Sequence, residues 1–320
     1  MDRRSNATKS LTHHTSLEVS SFERAPLASF DPLPDTATPL LKERMRAVFR
    51  QLPKALAGDE ESIHQLRVAG RRLRVALPLL ALKPEGKRVR RALRGLRELT
   101  RATGRSRDLD VILGLFKKRL GGSGAASPES RLLLRRLRTA RQRSRNSMAE
   151  ALLDLEIARL RRDLRAVAAR GGDGLFVVLL RLRERREGAG AGLRAEFATL
   201  GDRFDPDALH RVRREARRLR YAAEIWDAVR GQQSQAPALF KELQERLGHI
   251  HDAWVLACWL GRQAAAAASR GAEALAAEAR AHEAVFHEAS RAHHVELLER
   301  GPAALVQKAM EAMGPSRSAA

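Results

Sequence analysis

Residues 64–77 read His-Gln-Leu-Arg-Val-Ala-Gly-Arg-Arg-Leu-Arg-Val-Ala-Leu, and the fold turns on how this stretch is read. At helical spacing, His64, Arg67, Arg71 and Arg74 fall within an arc of about 80°. Leu66, Ala69, Leu73, Ala76, Leu77 and Leu80 occupy the opposite side. One face can enter a core while the other presents guanidinium groups and an imidazole in a row. The stretch recurs at 210–222 as His-Arg-Val-Arg-Arg-Glu-Ala-Arg-Arg-Leu-Arg-Tyr-Ala. There His210, Arg213, Arg217, Arg218, Leu219, Arg220 and Ala222 each lie 146 positions after a counterpart. Leu73/Leu219 and Ala76/Ala222 repeat along with the charged positions, so arginine richness alone does not explain the match.

Outward from these stretches, the 320 residues allow one large or two small domains. Apolar residues make up 44% and aromatics only 4%, so the core must be mostly Leu, Ala and Val. Gly and Pro cluster in a few short stretches between long Leu/Ala/Arg/Glu segments, and no run alternates as a strand does. The composition is that of an all-α protein.

The net charge is +22 and the isoelectric point about 11.4. Nine of the 60 basic residues are lysine, which leaves 51 arginines. A GC-rich genome would account for part of that excess but not for its placement. Residues 64–107 hold twelve Arg and two Lys against Glu85 and Glu98, a net of +12. A polyanion is the expected partner. Cys258 is the single cysteine, which excludes an intrachain disulfide and a cysteine zinc site. The N-terminus lacks a signal pattern, and the longest strongly apolar run, 175–180, is too short for a bilayer. A soluble cytoplasmic protein without membrane contact is expected.

In chain order, residues 1–37 are Ser/Thr/Pro-rich and read as a flexible arm, with His13 and His14 solvated rather than metal-bound. Thr38-Pro39 predicts a helix start running to about Ala57, and the His64 helix follows to about Leu82. A third helix, about Glu85 to Thr103, carries Arg90, Arg94, Arg97 and Arg101 within an arc of about 60°. That stripe is expected to share one groove with the His64 stripe. Gly104 to Val111 reads as a turn into a fourth helix ending near Leu120, with Asp108 and Asp110 capping it or pairing with arginines. Helices are expected at about 129–150 and 152–170, then a boundary between halves at 171–174. The second half should open with a helix at 175–200, weakened by Gly188, Gly190 and Gly192. The His210 helix follows, capped by Asp205-Pro206. Pro237 should start a helix reaching Val255. Two Ala-rich helices to about 300, a short helix after Pro302 and a tail at 314–320 complete the chain.

Both His-x-x-Arg-x-x-x-Arg-Arg-Leu-Arg stretches are followed by a related motif. The first is Thr103-Gly104-Arg105-Ser106-Arg107-Asp108; the second is Leu247-Gly248-His249-Ile250-His251-Asp252. On these four motifs residues 38–313 resemble the conserved histidine α-helical domain, the CHAD family. The resemblance implies two pseudo-twofold-related helical bundles, about 38–170 and 171–313, around a basic central channel. It also implies binding of inorganic polyphosphate and association with polyphosphate granules. The implied binding residues in the first half are His64, Arg67, Arg71, Arg74, Arg94, Arg97, Arg101 and Arg107. Those in the second half are His210, Arg213, Arg217, Arg220, Lys241 and His251. Thr103 stands where the family usually has Leu. The second half is less basic: Lys241 and Glu245 align with Arg97 and Arg101, and residues 210–251 carry nine basic against five acidic groups.

Residue chemistry agrees with that implication. Guanidinium is a planar fork of donors that matches phosphate oxygens, and a helix face repeats every 5.4 Å, so a row of forks can meet successive phosphates. Histidine would donate when protonated, or would serve as a buried structural residue. Nucleic acid is the alternative polyanion, but no nucleic-acid-binding signature is present and no aromatic lies within 64–107. No catalytic role is expected. The Glu-x-Glu-x-Lys mark of triphosphate-tunnel (CYTH) domains is absent. His251-Asp252 is similar to a metal phosphohydrolase pair but lacks the remaining ligands. Neither cofactor nor metal is expected.

Overall fold

The computed structural model describes residues 35–122 and 126–314; the arm with His13 and His14 and most of the tail lie outside them. Ten helices form among the described residues. They are α1 (Ala37–Leu56), α2 (Glu60–Leu80), α3 (Lys87–Gly121), α4 (Pro128–Leu153), α5 (Ile157–Ala168), α6 (Leu175–Leu200), α7 (Pro206–Arg230), α8 (Ala236–Ala268), α9 (Glu273–Glu299) and α10 (Pro302–Ala312). No strand accompanies them, only an isolated bridge between Ala81 and Gly172. None is long and apolar enough to cross a membrane.

Local chemistry sets the ends. The Asp59 carboxylate accepts from Ser62 N at 2.8 Å and starts α2, with Glu60 and Glu61 in its first turn. Asp205 accepts from the amides of Asp207 and Ala208 and Pro206 opens α7. At α1 the cap is one turn earlier than expected: Asp35 Oδ1 accepts from Thr38 N, and Thr38 Oγ1 instead accepts from Gly172 N.

Two expectations need correction. The turn at 104–111 does not form, and α3 is one helix of 35 residues. Likewise α8 does not end near Val255 but runs unbroken for 33 residues to Ala268. A lone helical glycine costs only about 1 kcal/mol, less than the flanking apolar faces recover by burying Leu96, Leu99, Leu109 and Ile112. Asp108 and Asp110 are therefore mid-helix and cannot cap. Asp110 pairs instead with Arg141 and Arg145 of α4. Nor do Gly188, Gly190 and Gly192 interrupt α6; Gly190 lies against the Met310 side chain.

The packing repeats. α1–α2, α2–α3, α3–α4, α3–α5 and α1–α5 contacts are matched by α6–α7, α7–α8, α8–α9, α8–α10 and α6–α10. The two sets meet through equivalent helices, α2 with α7, α3 with α8 and α4 with α9. Neither set has a core of its own. One apolar cluster joins α1, α2 and α5 to α6, α7 and α10, and the other joins the C-terminal parts of α3 and α8 to α4 and α9.

Candidate functional site

The site lies where α2 meets α7, with α3 and α8 alongside. Apolar faces of α2 and α7 enter the core through Leu66, Leu73, Leu77, Val212, Leu219 and Ala222, which leaves the repeated arginines on the faces that meet. Arg67 Nη1 donates to the Thr100 carbonyl oxygen at 2.6 Å, and its Nη2 lies 3.9 Å from Asp108 Oδ1. Its counterpart Arg213 lies 3.7 Å from Asp252 Oδ1. In the first half this explains the glycine four residues before the aspartate, on the same helix face. A Cβ at Gly104 would come within 2.8 Å of Arg67 Nη1. Gly104 clears a path for a guanidinium instead of making a turn, whereas a Cβ at Gly248 would lie 3.7 Å from Arg213 Nη2.

His64, His210 and His251 join this cluster. The His210 and His251 rings are 4.9 Å apart between centroids, and none of the three rings hydrogen-bonds another described residue. Burial, then Arg107, holds His64 below the ordinary imidazole range. Burial and Arg213 do the same to His210. His251, with Arg213 and His210 beside it, is pushed down to about 3 by burial first. His251 is uncharged at neutral pH, and the same burial disfavours the charged form of His64 and His210. Burial, then Arg217 and Arg67, brings Arg71 down to about 8, and burial brings Arg217 to about 10. Burial raises Asp252 despite Arg213. The two carboxylates do not offset the cationic charge gathered here.

Beside this cluster, α2, α3, α6 and α7 form a cleft of about 330 Å³. Arg71, Arg74, Arg97, Arg185, Arg214, Arg217 and Arg218 line it, together with Val75, Leu93 and the buried Tyr221. No carboxylate is among the lining residues; Arg218 also pairs with Glu215 outside the lining. Seven guanidinium groups around one small space is an arrangement that an anion with several charged oxygens satisfies.

Of the expected residues, His64, Arg67, Arg71, Arg107, His210, Arg213, Arg217 and His251 gather in the cluster, and Arg74 and Arg97 reach the cleft. The α3 stripe does not face one groove as a whole. Arg94 lines a separate cleft beside α5 with Arg91, Glu98 and Asp163, and Arg101 is exposed. In the second half Lys241 is exposed and pairs with Glu245 at 3.4 Å. Arg220 is held by Glu224, which also takes Arg72 and Arg44. Arg185, Arg214 and Arg218 were not among the expected residues. Arg218 belongs to the repeated motif, opposite Arg72, and was legible; Arg185 comes from α6, where no motif marks it. Among the described residues no group of three His, Cys, Asp or Glu is placed to hold a metal ion.

The family model described as CHAD domain matches residues 39–261. Uncharacterized protein Rv2226 of Mycobacterium tuberculosis (strain ATCC 25618 / H37Rv) and uncharacterized protein MT2285 of strain CDC 1551 / Oshkosh are each 27% identical over 255 residues. These alignments cover 75% of this chain, which spans about half the length, 49%, of each relative. Among solved structures, the CHAD domain from the plant Ricinus communis is similar with a TM-score of 0.56 and 23% identity, covering 88% of this chain and 92% of that one. PptA from Streptomyces chartreusis is similar with a TM-score of 0.61 and 18% identity, covering 84% and 100%. Both share the all-α fold.

Proposed function

The chain belongs to the CHAD domain family, which is associated with polyphosphate binding, and we propose that it binds inorganic polyphosphate, without catalysis, along the α2/α7 cluster and the arginine cleft. The observation that carries this reading is the cleft itself, seven arginines with no lining carboxylate. Positive charge at that density, paired among the described residues only at Arg218, is relieved by a polyanion, and a flexible phosphate chain can reach several forks one turn apart. Base stacking has no platform in the cleft, because its one aromatic residue, Tyr221, is buried. That favours a bare phosphate chain over nucleic acid. In cells the protein would associate with polyphosphate granules.

Arg71→Glu with Arg217→Glu tests the reading against Arg159→Glu with Arg162→Glu, an equal change of charge on the exposed face of α5. Each charge-assisted bond is worth about 1.5–3 kcal/mol, so the cleft pair should lower polyphosphate affinity by roughly two to four decades. The control acts through the diffuse field alone and should lose less than about tenfold. Duplex DNA and RNA are titrated at the same ionic strength. Equal losses in both pairs, or tighter binding of nucleic acid than of polyphosphate, would overturn the proposal.

A further inference from the structure

Next to the arginine cleft the wall chemistry changes. Val75, Arg185 and Arg218 line both the cleft and an adjoining recess of about 570 Å³ between α2 and α6. Pro78, Leu79, Gly188 and Ala189 give the recess apolar walls, and Glu184 and Glu215 add carboxylates. A bare phosphate chain gains less there than in the cleft: Arg181 is held by Asp173 and Arg218 by Glu215, apolar carbon offers no donor, and the two carboxylates repel it. A ligand with phosphates at one end and a neutral, flat group bearing amino or hydroxyl donors at the other would use both spaces. We infer that the recess takes the nucleoside of a nucleoside 5′-polyphosphate whose phosphates lie among the cleft arginines. This rests on the polyphosphate reading of the same cleft and names a second ligand class for it.

Three features support the assignment. The volume falls within the usual range for small-molecule sites. Arg181, on the recess wall, is held by Asp173 and by the carbonyl oxygens of Leu79 and Ala81. It is therefore a planar cation already ordered for stacking on a base. Gly188 is the third. Packing on Met310 accounts for Gly190, but a Cβ at Gly188 would meet nothing within 4 Å. A glycine there weakens the helix for no packing reason, and what it leaves is open space in the recess.

Calorimetry on the full chain without divalent ions compares ATP, inorganic triphosphate and long-chain polyphosphate. Charge alone predicts that inorganic triphosphate binds at least as tightly as ATP. With the recess occupied, ATP should bind about tenfold more tightly. Gly188→Leu, a favourable helix substitution into open space, should bring ATP within about twofold of inorganic triphosphate and leave the latter unchanged. If polyphosphate and inorganic triphosphate bind but ATP gains nothing, the recess assignment is wrong and the polyphosphate reading stands. An ATP advantage that survives Gly188→Leu also overturns the assignment. Failure of long-chain polyphosphate to bind removes the polyphosphate reading on its own account.

Discussion

Gly104 and Gly248 hold equivalent places in α3 and α8, yet an added Cβ would sit 2.8 Å from Arg67 Nη1 at the first and 3.7 Å from Arg213 Nη2 at the second. The first distance requires the Arg67 guanidinium, whose Nη1 bonds Thr100 O, to shift; the second is ordinary contact. Gly248→Ala should therefore raise stability by up to about 1 kcal/mol through helix propensity. Gly104→Ala should lose that gain and weaken polyphosphate binding by about fivefold, one hydrogen bond. Thermal melts and titrations of the two variants check this, and equal behaviour would mean Arg67 is not so constrained. The imidazoles carry a second expectation at this scale. His64 faces Arg107, Arg71, Arg67 and Glu61, and His210 faces Arg213, Arg214, Arg217 and Asp108. Both are depressed when free, and a bound polyanion raises them. Binding then takes up protons, so affinity should climb as pH falls from about 7 to about 5.5. Without ligand the sign for stability is opposite. The unfolded chain binds histidine protons that the folded one resists, so stability drops as pH falls below about 6.5. Calorimetry in buffers of different ionisation enthalpy would detect the proton uptake, and its absence would remove the histidines from the site.

The long helices depend on ties between elements as much as on their own propensity. Asp110, buried in the middle of α3, accepts from Arg141 Nε at 2.5 Å and Arg145 Nη2 at 3.2 Å, and both arginines also approach Glu60 of α2. Three helices are joined by that one carboxylate and its neighbours. Asp110→Ala removes the buried carboxylate that both half-buried guanidinium groups share, leaving them Glu60, and should destabilise the fold by about 1.5–3 kcal/mol. Breaking the exposed Lys241–Glu245 pair with Lys241→Ala should change stability by less than about 1 kcal/mol. Urea denaturation of both variants compares them directly. At this scale the sequence indicated α1, α2, α4, α6, α7 and α10 to within a few residues. It split α3 at Gly104, because a glycine beside charged residues has the local chemistry of a turn, and it ended α8 near Val255 rather than at Ala268. Only the guanidinium of another helix, filling the space beside Gly104, shows why the glycine sits inside a helix.

At the scale of the whole molecule, a net charge of +22 guarantees attraction to any polyanion, and the arrangement of that charge decides which one. Rows of contacts should make affinity rise with phosphate chain length, because each added contact is intramolecular. Affinity should also fall steeply with salt as condensed counterions are released. Calorimetry against orthophosphate, short and long chains checks this; equal affinities would argue for a single anion pocket. No phosphate should be released from bound chains with magnesium or manganese present. Metal-dependent turnover abolished by Asp108→Asn or Asp252→Asn would place the protein among enzymes.

By itself the sequence determined the all-α class, the internal repeat and the faces that carry the arginines. Those properties are local: helical periodicity and capping act within a few residues, and a repeat is visible wherever both copies keep their pattern. Tertiary structure alone decided which arginines work together. Arg74 and Arg220 hold the same place in the repeat, yet Arg74 enters the cleft while Arg220 is held by Glu224. Arg185 reaches the cleft from a helix without a motif, whereas Arg94, inside a clear stripe, lies in another cleft beside α5. Charge pairing depends on distances across helices that are far apart in the chain, and helical periodicity carries no information about those distances.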